Sequence, residues 1–276
     1  RLPVEGKPVP IIAGFPCQEG VLFAADTKHS IQGAMQLEGG KMFPSEYPSG
    51  GRSLFLISGS VHYCKMVLQH CEAELGDLTT DQFTLHNCRA IIERVLVDDY
   101  AKHIYPHPEP RPSVEFLIGL YSPKSKRAVL FSTEETSVNR LRGYDCRGAG
   151  SYLGHFLLRD QYKGLRSYAA KKGLPGYGEA TIMASHALSG LRQIKDYDDS
   201  CGRSTDLAWM GHDGRLSFIT RLFSDASDGE VFDLMIRRLL TGEIRIPEVP
   251  QSPQDSTHDP TPQPPLPESP EGSDVP

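Results

Sequence analysis

The stretch "VPIIAGFPCQEGVLFAADTKHS", residues 9–30, decides the fold. Its two apolar runs, 10–16 and 20–26, flank a polar turn at Gln18-Glu19-Gly20. Each run is short and almost continuously apolar, which predicts a hairpin of two buried strands. The second run stops abruptly at Asp26-Thr27-Lys28, so a buried strand delivers a carboxylate and a cation at its end.

Outward from this hairpin the period changes twice. Short strands are expected near 41–44 and 54–58, separated by the loop "PSEYPSGGR". Val61, Cys64, Leu68, Cys71 and Leu75 then recur at helical spacing, which predicts a helix with one buried stripe ending at Gly76. A second helix is expected to start at a Thr80-Asp81 cap and to carry Cys88, Ile91, Ile92, Val95 and Leu96 on one side. Four prolines, 106, 108, 110 and 112, close that pair, and "HIYPHPEP" (103–110) reads as a loop. Strands return at 114–121, 128–133 and 136–146, followed by helices at about 150–163 and 179–195. A hairpin of 205–210 and 216–219 turns across "GHDG", and a last helix is expected near 229–240.

Strands, two helices, strands, two helices, strands is not βαβ alternation, which disfavours a parallel sheet. Two stacked antiparallel sheets with a helical pair on each outer face fit better: an α+β, four-layer αββα sandwich over residues 10–245. Residues 1–9 read as a leader that covers the hairpin. The stretch 246–276 reads as a disordered acidic tail, because Pro247–Pro276 holds ten prolines and six carboxylates but no Lys or Arg. Its "PTPQPPLPESP" suits a passive spacer, or polyproline docking by an adaptor.

The formal charge of −6 belongs to that tail; without it acids and bases balance. A neutral body lacks the clustered basic excess of a nucleic-acid-binding surface. No apolar run approaches membrane-spanning length, so neither nucleic acid nor membrane is expected as a partner. The six cysteines (Cys17, Cys64, Cys71, Cys88, Cys146, Cys201) lack CxxC spacing. They read as packed, reduced thiols of a cytoplasmic protein, with no metal and no cofactor expected. One oxygen-ligand cation site is conceivable at Asp198 and Asp199, with Asp206 added.

The hairpin, together with "GGKMF" (39–43), "LISGSVHYCKM" (56–66), "RGAGSYLGHFLLRD" (147–160) and "DYDDSCGRSTDLAWM" (196–210), resembles proteasome β-subunits and their bacterial relatives. These belong to the N-terminal-nucleophile (Ntn) hydrolase superfamily, and the likeness covers about residues 10–220. It implies the same αββα fold, peptide or protein substrates, and assembly into homo- or hetero-oligomers, rings among them. In such enzymes an N-terminal Thr attacks the peptide carbonyl with its own amine as base. A charged pair tunes the site and a backbone N–H stabilises the oxyanion. Matched motif by motif, Asp26 and Lys41 are the charged pair, Gly59 the oxyanion glycine and Asp198 the late aspartate.

The nucleophile position, however, is Pro10, which has no hydroxyl. Ala149 and Cys201 stand where serines are usual around the terminus. The resemblance therefore implies a non-catalytic, assembling subunit. The rival reading is an active peptidase or amidase using another nucleophile, such as Cys201 with His186 or His212 as base. Read without the resemblance, Asp26 is a strand-end residue, Lys41 a solvated lysine, and Gly59 a spacer between strand and helix.

Overall fold

The computed structural model describes residues 11–31, 35–38, 40–148, 150–156, 162, 164, 167, 178–197, 204–223, 238 and 241. The expectations for residues 1–10, for most of the 229–240 helix and for the tail lie outside them. So do Pro10, Ala149, Asp198, Asp199 and Cys201.

The opening hairpin forms as its apolar runs require. Strands β1 (Ile12–Pro16) and β2 (Gly20–Asp26) pair antiparallel, with Ile12 opposite Ala25. Cys17 N donates to Gly20 O at 2.8 Å and closes the turn. Every residue of β2 is buried, so the continuous apolar run reflects cover on both faces. A small hairpin, β3 (Lys28–Ile31) and β4 (Met35–Glu38), follows where no strand was expected. Its short, polar segments carry too weak an alternation to be read locally.

The next strands are β5 (Met42–Glu46), β6 (Arg52–Gly59), β7 (Val114–Ser122), β8 (Arg127–Glu134) and β9 (Ser137–Arg140). They form one antiparallel sheet in the order β5-β6-β7-β8-β9. The other five-stranded sheet runs β10-β1-β2-β11-β12, from β10 (Asp145–Arg147), β11 (Ser204–Gly211) and β12 (Leu216–Phe223). The single strand expected over 136–146 is thus two, and they belong to different sheets. The segment between them includes Gly143, where the chain leaves one sheet for the other.

Helix α1 (Val61–Gly76) buries Cys64, Val67, Leu68, Cys71 and Leu75, the stripe its spacing predicts. Helix α2 (Leu85–Asp99) buries Cys88, Ile92, Val95 and Leu96. Both pack with Phe55, Phe116, Ile118 and Phe131 on one face of the β5–β9 sheet. The α2 cap is Thr84, not Thr80-Asp81: Thr84 Oγ1 accepts from Asn87 N at 3.2 Å. The displacement is tertiary. Phe83 is fully buried and Ser122 Oγ donates to its carbonyl at 2.8 Å, so residues 79–83 form a turn anchored on the sheet. The chain past α2 also departs from expectation. Tyr100–Ile104 adds a π-helical turn where a loop was expected to begin, burying Tyr100 and Ile104, and Tyr100 OH donates to Val114 O at 3.0 Å.

On the other sheet, α3 (Gly178–Tyr197) packs Ala180, Met183, Ala184, Ala187 and Leu191 with Ile11, Phe15, Leu22 and Trp209. Residues 151–156 are also helical. The two sheets touch where small residues permit it. A Cβ on Gly119 would lie 2.6 Å from the Phe23 ring, so β7 needs a glycine there for β2 to approach. The chain is thus a mixed αβ protein of two antiparallel five-stranded sheets with helices packed on them. Among the described residues no helix is long and apolar enough to cross a membrane.

Candidate functional site

The hairpin edge is where Asp26 and Lys41 meet. Asp26 ends β2 and Lys41 immediately precedes β5 on the other sheet. Fifteen residues apart in sequence, they form a buried, hydrogen-bonded ion pair, Lys41 Nζ donating to Asp26 Oδ1. Their side chains are 0% and 1% exposed. The same carboxylate oxygen accepts from Ile11 N at 2.7 Å, and Asp26 N donates to Ile11 O at 3.2 Å. Asp26 is therefore tied to the backbone of the residue that follows Pro10. Ile57 N donates to Lys41 O at 3.0 Å, which ties the lysine's backbone to β6.

Two charges taken out of water cost several kcal/mol each, recovered only by close pairing and further hydrogen bonds. Both conditions are met here, by the ammonium and by the Ile11 amide. Lys41 is not the solvated lysine its local sequence allows, and Asp26, though it does end its strand, is buried and paired.

Gly59, the last residue of β6, has φ +98°. A Cβ there would lie 2.3 Å from Ser113 O, and Ser60 N donates to that same carbonyl at 2.7 Å. The glycine is thus required by backbone geometry at the strand-to-helix junction. Neighbouring polar groups that the sequence did not single out are also buried or partly buried. Thr27 Oγ1 and Ser204 Oγ lie 2.7 Å apart. Arg147 Nε donates to Asp145 Oδ2 at 2.8 Å and its guanidinium reaches Ser132 Oγ at 3.3 Å. Glu115 Oε2 accepts from Gly148 N at 2.8 Å. A signal existed in hindsight: polar residues inside otherwise apolar strands.

Asp206 is buried on β11 opposite Ala25, whereas Asp198 and Asp199 lie outside the described residues. Cys201 does too, so its pairing with a base is not described. Four of the described cysteines are weak nucleophiles. Burial pushes the Cys64 and Cys88 thiols up to about 12, and it raises Cys71 and Cys146 as well.

His186 lies on α3, and His212 lies in the β11–β12 turn. Along β11, Thr205 faces Asp26 while Gly211 faces Gly20, so His212 stands at the far end of the strand, about 20 Å from the charged pair at ~3.3 Å per residue. Its Nδ1 accepts from Ala128 N at 3.1 Å, which makes Nε2 the protonated nitrogen.

Burial and the Arg127 cation hold His212 below the usual histidine value, against the opposing pull of Glu19 and Asp213. Burial lowers His186 too. A histidine held low contributes stability that is present above its unfolded value of about 6.5 and is lost as pH falls through the folded one. The thermal midpoint should therefore fall as pH drops from 7.5 towards 5. His212→Gln, whose amide oxygen can accept from Ala128 N, should give a shallower slope in that window. A slope unchanged by the substitution would count against this role.

No family model and no curated protein matches the chain. Solved structures do. An Anbu protein from Hyphomicrobium sp. strain MC1 aligns with a TM-score of 0.57 at 16% identity, over 86% of this chain and 98% of its own. Anbu, described as an ancestral beta-subunit, from Yersinia bercovieri aligns at 0.58 and 14% identity, over 84% and 93%. The helical assembly of the Anbu complex from Pseudomonas aeruginosa gives the same figures. These neighbours correct the family expected from the motifs: they are proteasome-like, but a family distinct from the proteasome β-subunits. The physical reason is that a buried hairpin, a strand-end aspartate and a junction glycine are demanded by a shared fold, so they do not separate the families that use it. At 14–16% identity the likeness is one of fold.

Proposed function

We propose that this chain is a proteasome-like subunit of four-layer αββα architecture that acts by assembling with further copies of itself or with related subunits, without peptidase chemistry at its hairpin edge. The observation that carries this reading is the charged pair. Asp26 is locked onto the backbone of residue 11, and residue 10 beside it is a proline with no hydroxyl to activate. In this reading Asp26, Lys41 and Gly59 hold the hairpin and the β6–α1 junction in place, and Asp198 is vestigial with them.

Assembly is supported by the fold likeness to Anbu, whose Pseudomonas aeruginosa representative is described as a helical assembly. Tyr152 and Phe156, one helical turn apart, are 64% and 78% exposed, apolar area of the kind that copies bury. Cys64, Cys71, Cys88 and Cys146 are buried thiols, which suits a reducing, cytoplasmic setting. Composition supports a division into a leader at 1–9, a domain at 10–245 and an acidic Pro-rich tail at 246–276.

Light scattering of the full chain at micromolar concentration should give a multiple of 30.5 kDa, and fluorogenic peptides should not be turned over. A strict monomer would overturn the assembly. A second reading, a peptidase or amidase working through Cys201 or an altered terminus, is favoured by the retained buried Lys41. Peptide hydrolysis abolished by Cys201→Ala, or accompanied by loss of the leading residues in an intact mass, would establish it instead.

A further inference from the structure

At the end of β2 opposite the charged pair lies a cavity of about 370 Å³. It opens between the sheets: the β1–β2 turn and His212 come from one, and the start of β8 and the end of β9 from the other. Arg127, Arg140 and Arg142 line it with His212, and no Asp or Glu does. Among the described residues none of these three guanidinium groups is in an ion pair. We propose that this cavity is a binding site for a small, multiply charged oxyanion.

The arginines are placed by rigid backbone. Arg127 begins β8 and Arg140 ends β9, where it lies opposite Phe131. Leu141 N donates to Leu130 O at 2.9 Å, which continues the pairing and holds Arg142 along β8. The imidazole of His212 is pinned by the Ala128 amide, leaving its Nε2–H as a neutral donor. Three planar forks and one such donor suit an oxyanion with several acceptor oxygens, because each guanidinium can offer two parallel N–H bonds. The volume lies at the small end of the range for ligand pockets.

The local field agrees. Arg127 disfavours a proton on His212, against the pull of Glu19 and of Asp213, the latter itself paired with Arg215. An anion would offset the Arg127 charge and bridge the two sheets. Phosphoryl and carboxylate groups share this chemistry, so both are tested.

Titration calorimetry of the full chain at low salt, with pyrophosphate and with citrate, is the experiment. At least one anion should bind saturably, and the tighter of the two identifies a phosphoryl or a carboxylate source. The double variant Arg140→Gln/Arg142→Gln should weaken binding at least about tenfold. Lys102→Gln/Arg192→Gln removes the same charge from α3 and the π-helical turn and should stay within about twofold. Absence of saturable binding by either anion, or equal weakening in both double variants, would overturn the proposal.

Discussion

Lys41→Met should destabilise the protein by about 3–5 kcal/mol, read as a lowered urea midpoint at neutral pH. The substitution keeps an apolar stem of similar length but removes the ammonium from a carboxylate that is 0% exposed. Asp26 then keeps the Ile11 amide as a partner and loses its counter-charge. Asp26→Asn alone should cost a comparable amount, because it removes the carboxylate charge that faces a buried ammonium. The double variant Asp26→Asn/Lys41→Met should cost much less than the sum of the two, since neither charge remains. Simple additivity across this cycle, or a Lys41→Met cost below about 1 kcal/mol, would remove the pair from its structural role. The same variants speak to chemistry: were any peptide turnover found, its survival in Lys41→Met would exclude the lysine from it.

Gly59→Ala should cost about 2–4 kcal/mol. Two terms combine. An L-residue at φ +98° is strained, and its Cβ would meet the Ser113 carbonyl at 2.3 Å. That carbonyl cannot simply move, because it accepts from Ser60 N and leads directly into Val114, the register partner of Gly59 on β7. Gly76→Ala is the matched control, since a Cβ at that helix end meets nothing within 4 Å. It should be neutral or slightly stabilising, by up to about 1 kcal/mol. Equal costs at the two glycines would defeat the argument from backbone geometry.

Much of this was legible in the chain, and the misses share a cause. The α1 and α2 stripes are local periodicities, and burial follows them because a helix can turn only one face to a sheet. The β1–β2 hairpin was readable for the same reason. The Thr84 cap was not, because a buried Phe83 held by Ser122 chose it over the equally suitable Thr80-Asp81. Nor could the quoted motifs separate proteasome β-subunits from the proteasome-like Anbu proteins whose fold this chain is similar to.

The sequence by itself determined the β1–β2 hairpin and the buried stripes of α1 and α2, that Pro10 offers no hydroxyl, and that charge collects in the last thirty residues, for these depend only on residue type and spacing along the chain. Only the tertiary structure decided that Lys41 meets Asp26, that β9 and β10 part into different sheets, and that three arginines line one cavity with His212. Each of these joins segments from separate strands or sheets. Contacts of that kind depend on how the sheets stack, which no local period records.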